Sequence, residues 1–304
     1  DTKWYKANVP GLATSDINPL VHYLERGARE NREPHPFFSS GFYWWGLKGL
    51  PKVAANPLVD YCQLGFRESR DPHPLFDSAY YLECNPEVGL SGLHPFEHFM
   101  ASGYREGRNP HPLFDIRFYL HQNSDVGASG MNPLVHYCSA GAFEGRSPHP
   151  LFDVPYYFST QPDVKQSGHE PLSHFLVFGA AEGRAPNPLF DCHFYAGQMP
   201  EVAEGWINPL VHFVCDGWRA GLNPSANFDL RFYLSANADV RQWGGNPLEH
   251  YLMTGRLEGR AIRPVGGHPA GVMGQHADVD STKADQAAAM LDNVADAASC
   301  FQRA

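Results

Sequence analysis

Lysine is scarce in this chain: six residues among 304, with a net charge of −10. A nucleic-acid partner would need a basic stripe or patch, so none is expected. Long apolar runs are also missing. Nothing approaches the ~18 consecutive residues of a transmembrane helix, so no direct membrane span is expected. No signal-peptide pattern follows Asp1. The six cysteines, Cys62, Cys84, Cys138, Cys192, Cys215 and Cys300, form no C-x-x-C pair, which argues against a zinc ribbon or a thioredoxin-like site. There is no G-x-S-x-G, no G-x-x-x-x-G-K and no H-E-x-x-H. Nothing therefore marks a nucleophile, a phosphate cradle or a zincin site. The chain reads as a non-enzyme with no cofactor and no metal.

What is present is punctuation and aromatic bulk. Pro (26) and Gly (29) are plentiful, aromatics reach 13% and apolar residues 43%. Such a composition folds, and it favours many short elements over a few long ones. The order behind it is a repeat. The residue after Phe in P-H-P-L-F-D recurs at Asp1, Ser39, Asp77, Asp115, Asp153, Asp191 and Asp229, always 38 residues apart. Seven copies fill residues 1–266 without insertion or deletion.

Repeat 4 shows the local logic. Asp115 is a helix N-cap, and Phe114 and Tyr119 bracket it as a hydrophobic staple. Helix A should run from about residue 116 to Asn123. Asn132-Pro133 is an N-cap followed by proline at the first helical position, which opens helix B. Leu134, Tyr137, Cys138 and Gly141 then mark one buried face, with Gly141 either a cap or a close contact. Cysteine at 62 and 138 stands where other copies carry Leu, Met or Val, and reads as a small buried hydrophobe. Two such short helices cannot bury their faces alone, so the copies must stack. The expected fold is all-α: an α-solenoid of seven two-helix repeats over 1–266, a linker at 267–280 and a C-terminal amphipathic helix at 281–304. Met290, Val294, Ala297 and Phe301 share one face of that last helix. It either caps the solenoid or leads into a further domain. Asp1 falls in mid-motif, so the chain also reads as part of a longer polypeptide.

Three polar sets recur. The tyrosine of helix A is present in all seven copies, Tyr81, Tyr119 and Tyr157 among them, while its predecessor drifts among Trp, Phe and Tyr. The fixed position needs its hydroxyl, expected to bond at a contact between repeats. One histidine row lies on helix B (His98, His136, His174 and three more, with Asp60 in repeat 2). A second lies in the P-H-P turn (His35, His73, His111, His149, then Asn187 and Ser225). Zinc needs ligand nitrogens within ~4 Å of one another, whereas packed helices sit ~8–10 Å apart. Equivalent histidines therefore cannot share an ion, and a bond to a carboxylate or backbone carbonyl is expected instead. The Glu and Arg of E-x-R, with Arg108, Arg146 and Arg184 typical, should form ion-pair ladders between repeats. A group copied this often is architectural rather than catalytic.

Candidate ligand-binding residues are those outside the pattern. Trp44 and Trp45 sit in repeat 2, whose A–B connection departs most from the others. Trp206, Trp218 and Trp243 fall in repeats 6 and 7. Exposed aromatics suit stacking on sugars or anchoring a protein, and buried ones would simply fill gaps at the end repeats.

The consensus P-H-P-L-F-D-x-x-Y-Y-L-x-x-N-P-D-V-x-x-S-G-x-N-P-L-x-H-Y-L-x-x-G-x-x-E-G-R resembles repeats of alphaproteobacterial proteins. Those repeats accompany glycosyltransferase domains of surface-polysaccharide synthesis or calcium-binding secreted proteins. The resemblance covers residues 1–266, with departures at Ser39, Asp60, Leu222, Ser225 and Ala226. It implies a bacterial cell-envelope or extracellular setting. The leading expectation is a non-catalytic interaction module for a bacterial surface glycan or envelope protein. The runner-up is a structural subunit that self-associates through its ends or edges. A third reading is the accessory repeat region of a glycosyltransferase.

Overall fold

The computed structural model describes residues 2–47, 50–203, 205 and 207–264. The expected linker and C-terminal helix (267–304) lie outside them, as does Trp206. Among the described residues the fold is all-α, and no helix is long and apolar enough to cross a membrane. The chain divides into two compact units, one ending at His111 and one beginning at Pro112. Each is a solenoid-like stack of repeats.

Helix A forms where the caps dictate. It spans Ile116–Gln122 in repeat 4 and Val154–Thr160 in repeat 5. Asp115 and Asp153 accept hydrogen bonds from the third amides of these helices, those of Phe118 and Tyr156. Helix B opens at the expected proline. In repeat 4 it is α-helical over Pro133–His136 and widens to a π turn over Tyr137–Gly141. Repeats 1, 3, 5, 6 and 7 widen in the same way. Repeat 2 instead ends helix B in a 3₁₀ turn, Gly65–Glu68.

A further short helix sits between A and B in repeats 3 to 7, at Pro86–Leu90, Ser124–Ser129, Pro162–Ser167, Pro200–Ala203 and Ala238–Trp243. Proline occupies the first position of this connecting helix in repeats 3, 5 and 6, and in repeats 3 and 5 it follows helix A by two residues. One valine anchors each copy: Val88, Val126, Val164, Val202 and Val240 are all at most 3% exposed.

The turns between repeats form the core. Leu75, Leu113, Leu151 and Phe37 are fully buried. In repeats 2 to 7 the amide of the first residue donates to the carbonyl 33 residues on, so consecutive turns are bonded through backbone. In the first unit Ser39 bonds Pro72 and Asp77 bonds Pro110. In the second, Asp115 bonds Pro148, Asp153 bonds Pro186, Asp191 bonds Pro224 and Asp229 bonds Ile262.

The tyrosine hydroxyl of helix A does not reach a neighbouring repeat. It stays inside its own, bonded to Nδ1 of the helix-B histidine: Tyr81 to His98 at 2.8 Å, Tyr119 to His136 and Tyr157 to His174 at 2.9 Å. The invariant glycine completes the lock. A Cβ on Gly103, Gly141 or Gly179 would fall on that hydroxyl, so Gly141 is the close contact and not a cap. The capping glycine is the one in E-G-R, Gly145 in repeat 4, with φ 80°. Cysteine at the repeat position is less buried than expected: Cys62 is exposed and Cys138 partly so.

The lock can be tested by coupling. Gly179→Ala should cost ~1–3 kcal/mol by overpacking, and Tyr157→Phe ~1 kcal/mol for the lost hydrogen bond. Because the alanine methyl would take the hydroxyl's space, the double variant should be more stable than the sum of the two losses implies. Strict additivity in urea melts would contradict a shared site.

Candidate functional site

The recurring polar residues serve the repeat itself. Arg146 holds Glu144 at 2.7 Å, Asp125 at 2.8 Å and the amide oxygen of Asn123 at 3.1 Å. Asn123 in turn donates to the Tyr119 carbonyl at the end of helix A. Arg184 and Arg260 repeat the clamp on Asp163 and Asp239, and Arg108 pairs with Glu87 and Glu106. Every one of these pairs lies within a single repeat. They fasten the connecting helix to the E-G-R turn and do not form a ladder between repeats. The spacing explains this, because the Asp or Glu is 21 residues before its Arg.

Repeat 2 solves the same problem with different residues. Asp60 replaces the histidine and is fully buried. It accepts from Tyr43 (2.6 Å), the amides of Val53 and Ala54, and Arg70 (2.8 Å). Burial opposes its charge, yet these donors hold its carboxyl below the ordinary range. Arg70 also donates to the Pro51 carbonyl. The unusual A–B connection is thus strapped down by one buried ion pair.

The turn histidines have a different task. Nδ1 of His35, His73 and His149 accepts the backbone amide two residues on, each at 3.1 Å. Asn187 and Ser225 accept the equivalent amide in repeats 5 and 6. The position requires a short-range acceptor, which explains why His, Asn and Ser all occur there. Burial pushes His35 down to about 4 and His73 to about 3. Tyrosine hydroxyls partner the helix-B row and backbone amides the turn row, and His149 also lies against a carboxylate, that of Glu249. Among the described residues no group of three or more His, Cys, Asp or Glu is placed to hold a metal ion.

The described candidate tryptophans are divided between the units, Trp44 and Trp45 in the first and Trp218 and Trp243 in the second. Trp44 is half-buried beneath Lys52, whose Nζ lies 4.4 Å from the ring centre. Trp45 is 38% exposed and lies 6.0 Å from Phe42. Trp218 is half-buried, donates to the Val214 carbonyl of its own helix, and carries Arg219 over its ring. Trp243 is 59% exposed, with its ring 6.0 Å from His250.

A cleft in the second unit is not lined by any of them. Repeat 7 comes back onto repeat 4: Glu249 of its helix B lies 3.8 Å from Nε2 of His149. Burial, aided by Asp115 and opposed by Arg219, pushes the Glu249 carboxyl up to about 7. Beside this contact opens a cleft of about 520 Å³, walled by Phe118 and Gln122 of repeat 4 and Met253 and Arg256 of repeat 7. Gln122, Met253 and Arg256 are exposed. No ion pair engages Arg256 among the described residues. These three positions vary from copy to copy, Arg256 replacing Ala, Phe, Tyr or Trp. The variation was visible in the sequence, but the return of repeat 7 onto repeat 4 was not, because it joins residues 100 apart.

Compared with family models, with curated proteins and with solved structures, the chain matches none.

The turn histidines predict an acid limb of stability. An imidazole with a depressed folded-state pKa contributes stability that is complete above its ordinary value of 6.5 and is lost as pH falls toward about 3. The buried carboxyls Glu33 and Asp71, pushed up to about 7, act oppositely: their contribution is complete below the ordinary carboxyl range and is lost as pH rises through 7. A His35→Asn/His73→Asn variant keeps the acceptor and both carboxyls while removing the imidazoles. Its melting temperature should fall less than that of the parent between pH 7 and pH 4. Equal falls would contradict the assignment.

Proposed function

We propose that the chain is a non-catalytic interaction module whose ligand seat is the cleft between repeats 4 and 7, and whose ligand is a bacterial surface glycan. The observation that carries this reading is a division of labour. Recurring Tyr, His, Glu and Arg side chains are engaged in holding each repeat together. The cleft sets the variable Gln122, Met253 and Arg256 beside recurring residues already engaged in the repeat, Asn123, Arg146, His149 and Asp153. Its chemistry suits a sugar: an amide and a guanidinium for hydroxyl or carboxylate groups, and the half-buried Phe118 ring for an apolar sugar face. The resemblance to repeats of envelope-polysaccharide proteins points the same way, as an association only.

Calorimetric titration with neutral and uronic-acid-containing oligosaccharides of bacterial surface polysaccharides tests the reading. A Gln122→Ala/Met253→Asp variant should bind at least tenfold more weakly with an unchanged melting temperature, while Trp44→Ala/Trp45→Ala should bind as the parent does. Loss in the tryptophan variant alone would move the seat to repeat 2. Absence of binding to every sugar would contradict the glycan assignment.

A further inference from the structure

We propose that repeat 1, which opens the first unit, and repeat 7, in the second, carry complementary faces, and that the helix-B face of repeat 1 in one copy of the chain docks on repeat 7 of another. The argument comes from comparing copies of one residue position. Second in helix B is a large apolar residue. At Leu134, Leu172, Leu210 and Leu248 it is 0% exposed, and at Leu58 and Phe96 it is half-buried. At Leu20 it is 48% exposed, with Ile17, Val21 and Leu24 exposed beside it. Four apolar side chains grouped on one short segment make a surface that water disfavours.

The interior of the first unit shows what such a residue covers. Leu58 of repeat 2 packs on the Tyr5–Tyr23 cluster of repeat 1. Phe96 of repeat 3 packs on the Phe38, Tyr43 and Tyr61 cluster of repeat 2. His94, two residues earlier, stacks on Phe66 with ring centres 3.4 Å apart. Within the first unit, repeats 2 and 3 thus each close over the aromatic cluster of the repeat before.

Repeat 7 presents the other half of this joint. Its cluster is built, with Tyr251 5.6 Å from Phe228 and 5.8 Å from Tyr233. Yet Tyr251 is only half-buried, whereas its counterparts Tyr23, Tyr61, Phe99, Tyr137, Phe175 and Phe213 are at most 3% exposed. Arg256 occupies the position of Phe66 and is exposed. An open cluster on repeat 7 and an uncovered Leu20 on repeat 1 are the two sides of the junction used inside the chain. A second copy is therefore the occupant that continues an interface already present. Such a contact is heterologous: it uses a different surface on each partner and leaves one end of each free. Because Arg256 borders both this face and the proposed ligand seat, the readout is mass and not ligand binding.

Light scattering across a wide concentration range tests it, with melting curves to confirm folding. The parent chain should rise above its single-chain mass of 33.8 kDa as concentration increases. Leu20→Asp/Leu24→Asp blocks the head and Arg256→Asp the tail, and each variant alone should stay at one chain mass. An equimolar mixture of the two should give dimers and nothing larger, because one free head meets one free tail. Leu90→Asp, at an 89% exposed residue of the connecting helix in repeat 3, should associate as the parent does. A parent mass that stays at one chain would overturn the proposal and leave both faces to other partners. Variants that associate like the parent, or a mixture that stays monomeric, would overturn it equally.

Discussion

Consecutive turns are bonded through backbone, and the rest of each unit hangs on that constraint. An amide donating to a carbonyl 33 residues away fixes where each repeat begins relative to where it ends. A buried amide without that partner would carry the full desolvation penalty. Because the bond uses backbone only, it survives changes of residue: Ser39 donates as Asp77 does, and Ile262 accepts as Pro224 does. The fully buried leucines beside it keep water out. Each of the six described turn bonds spans the same 33 residues, which accords with a period that no copy lengthens or shortens.

Within that spacing, each repeat is closed by side chains that each answer a specific geometric need. The tyrosine hydroxyl fits only where glycine leaves room and a histidine or Asp60 supplies a partner. The arginine clamp joins three segments through one guanidinium, a task suited to its planar fork. The exposed ion pairs contribute little each, so the arginine acts mainly through its bonds to Asn123, Gln161 or Asn237 at the end of helix A. Positions outside this pattern are under no such constraint. Arg256, Met253 and Gln122 are free to vary because no lock uses them.

Much of the fold was legible. The period, the caps at Asp115 and Asn132 and the staple between Phe114 and Tyr119 are local signals, and local signals survive in a sequence. The connecting helix was missed because Asn-Pro reads first as a stop. Asp125 or Asp163 in the following turn, favourable near a helix N-terminus, was the available hint of a new start. The partners of the tyrosine and arginine rows were misassigned between repeats because spacing alone cannot tell a contact within a copy from one between copies. The acceptor role of the turn histidine was readable in hindsight, since Asn187 and Ser225 share with it only an acceptor at short reach. The cleft was not readable, because it depends on repeat 7 meeting repeat 4 across three intervening turns.

Amide hydrogen exchange at Asp77, Asp115, Asp153 and Asp191 tests the central claim most directly. If the turn-to-turn backbone bonds are what hold each unit together, these amides exchange among the slowest in the chain, only when the unit opens as a whole. Exchange at these positions as fast as at exposed amides of the helix-A surfaces would contradict the account.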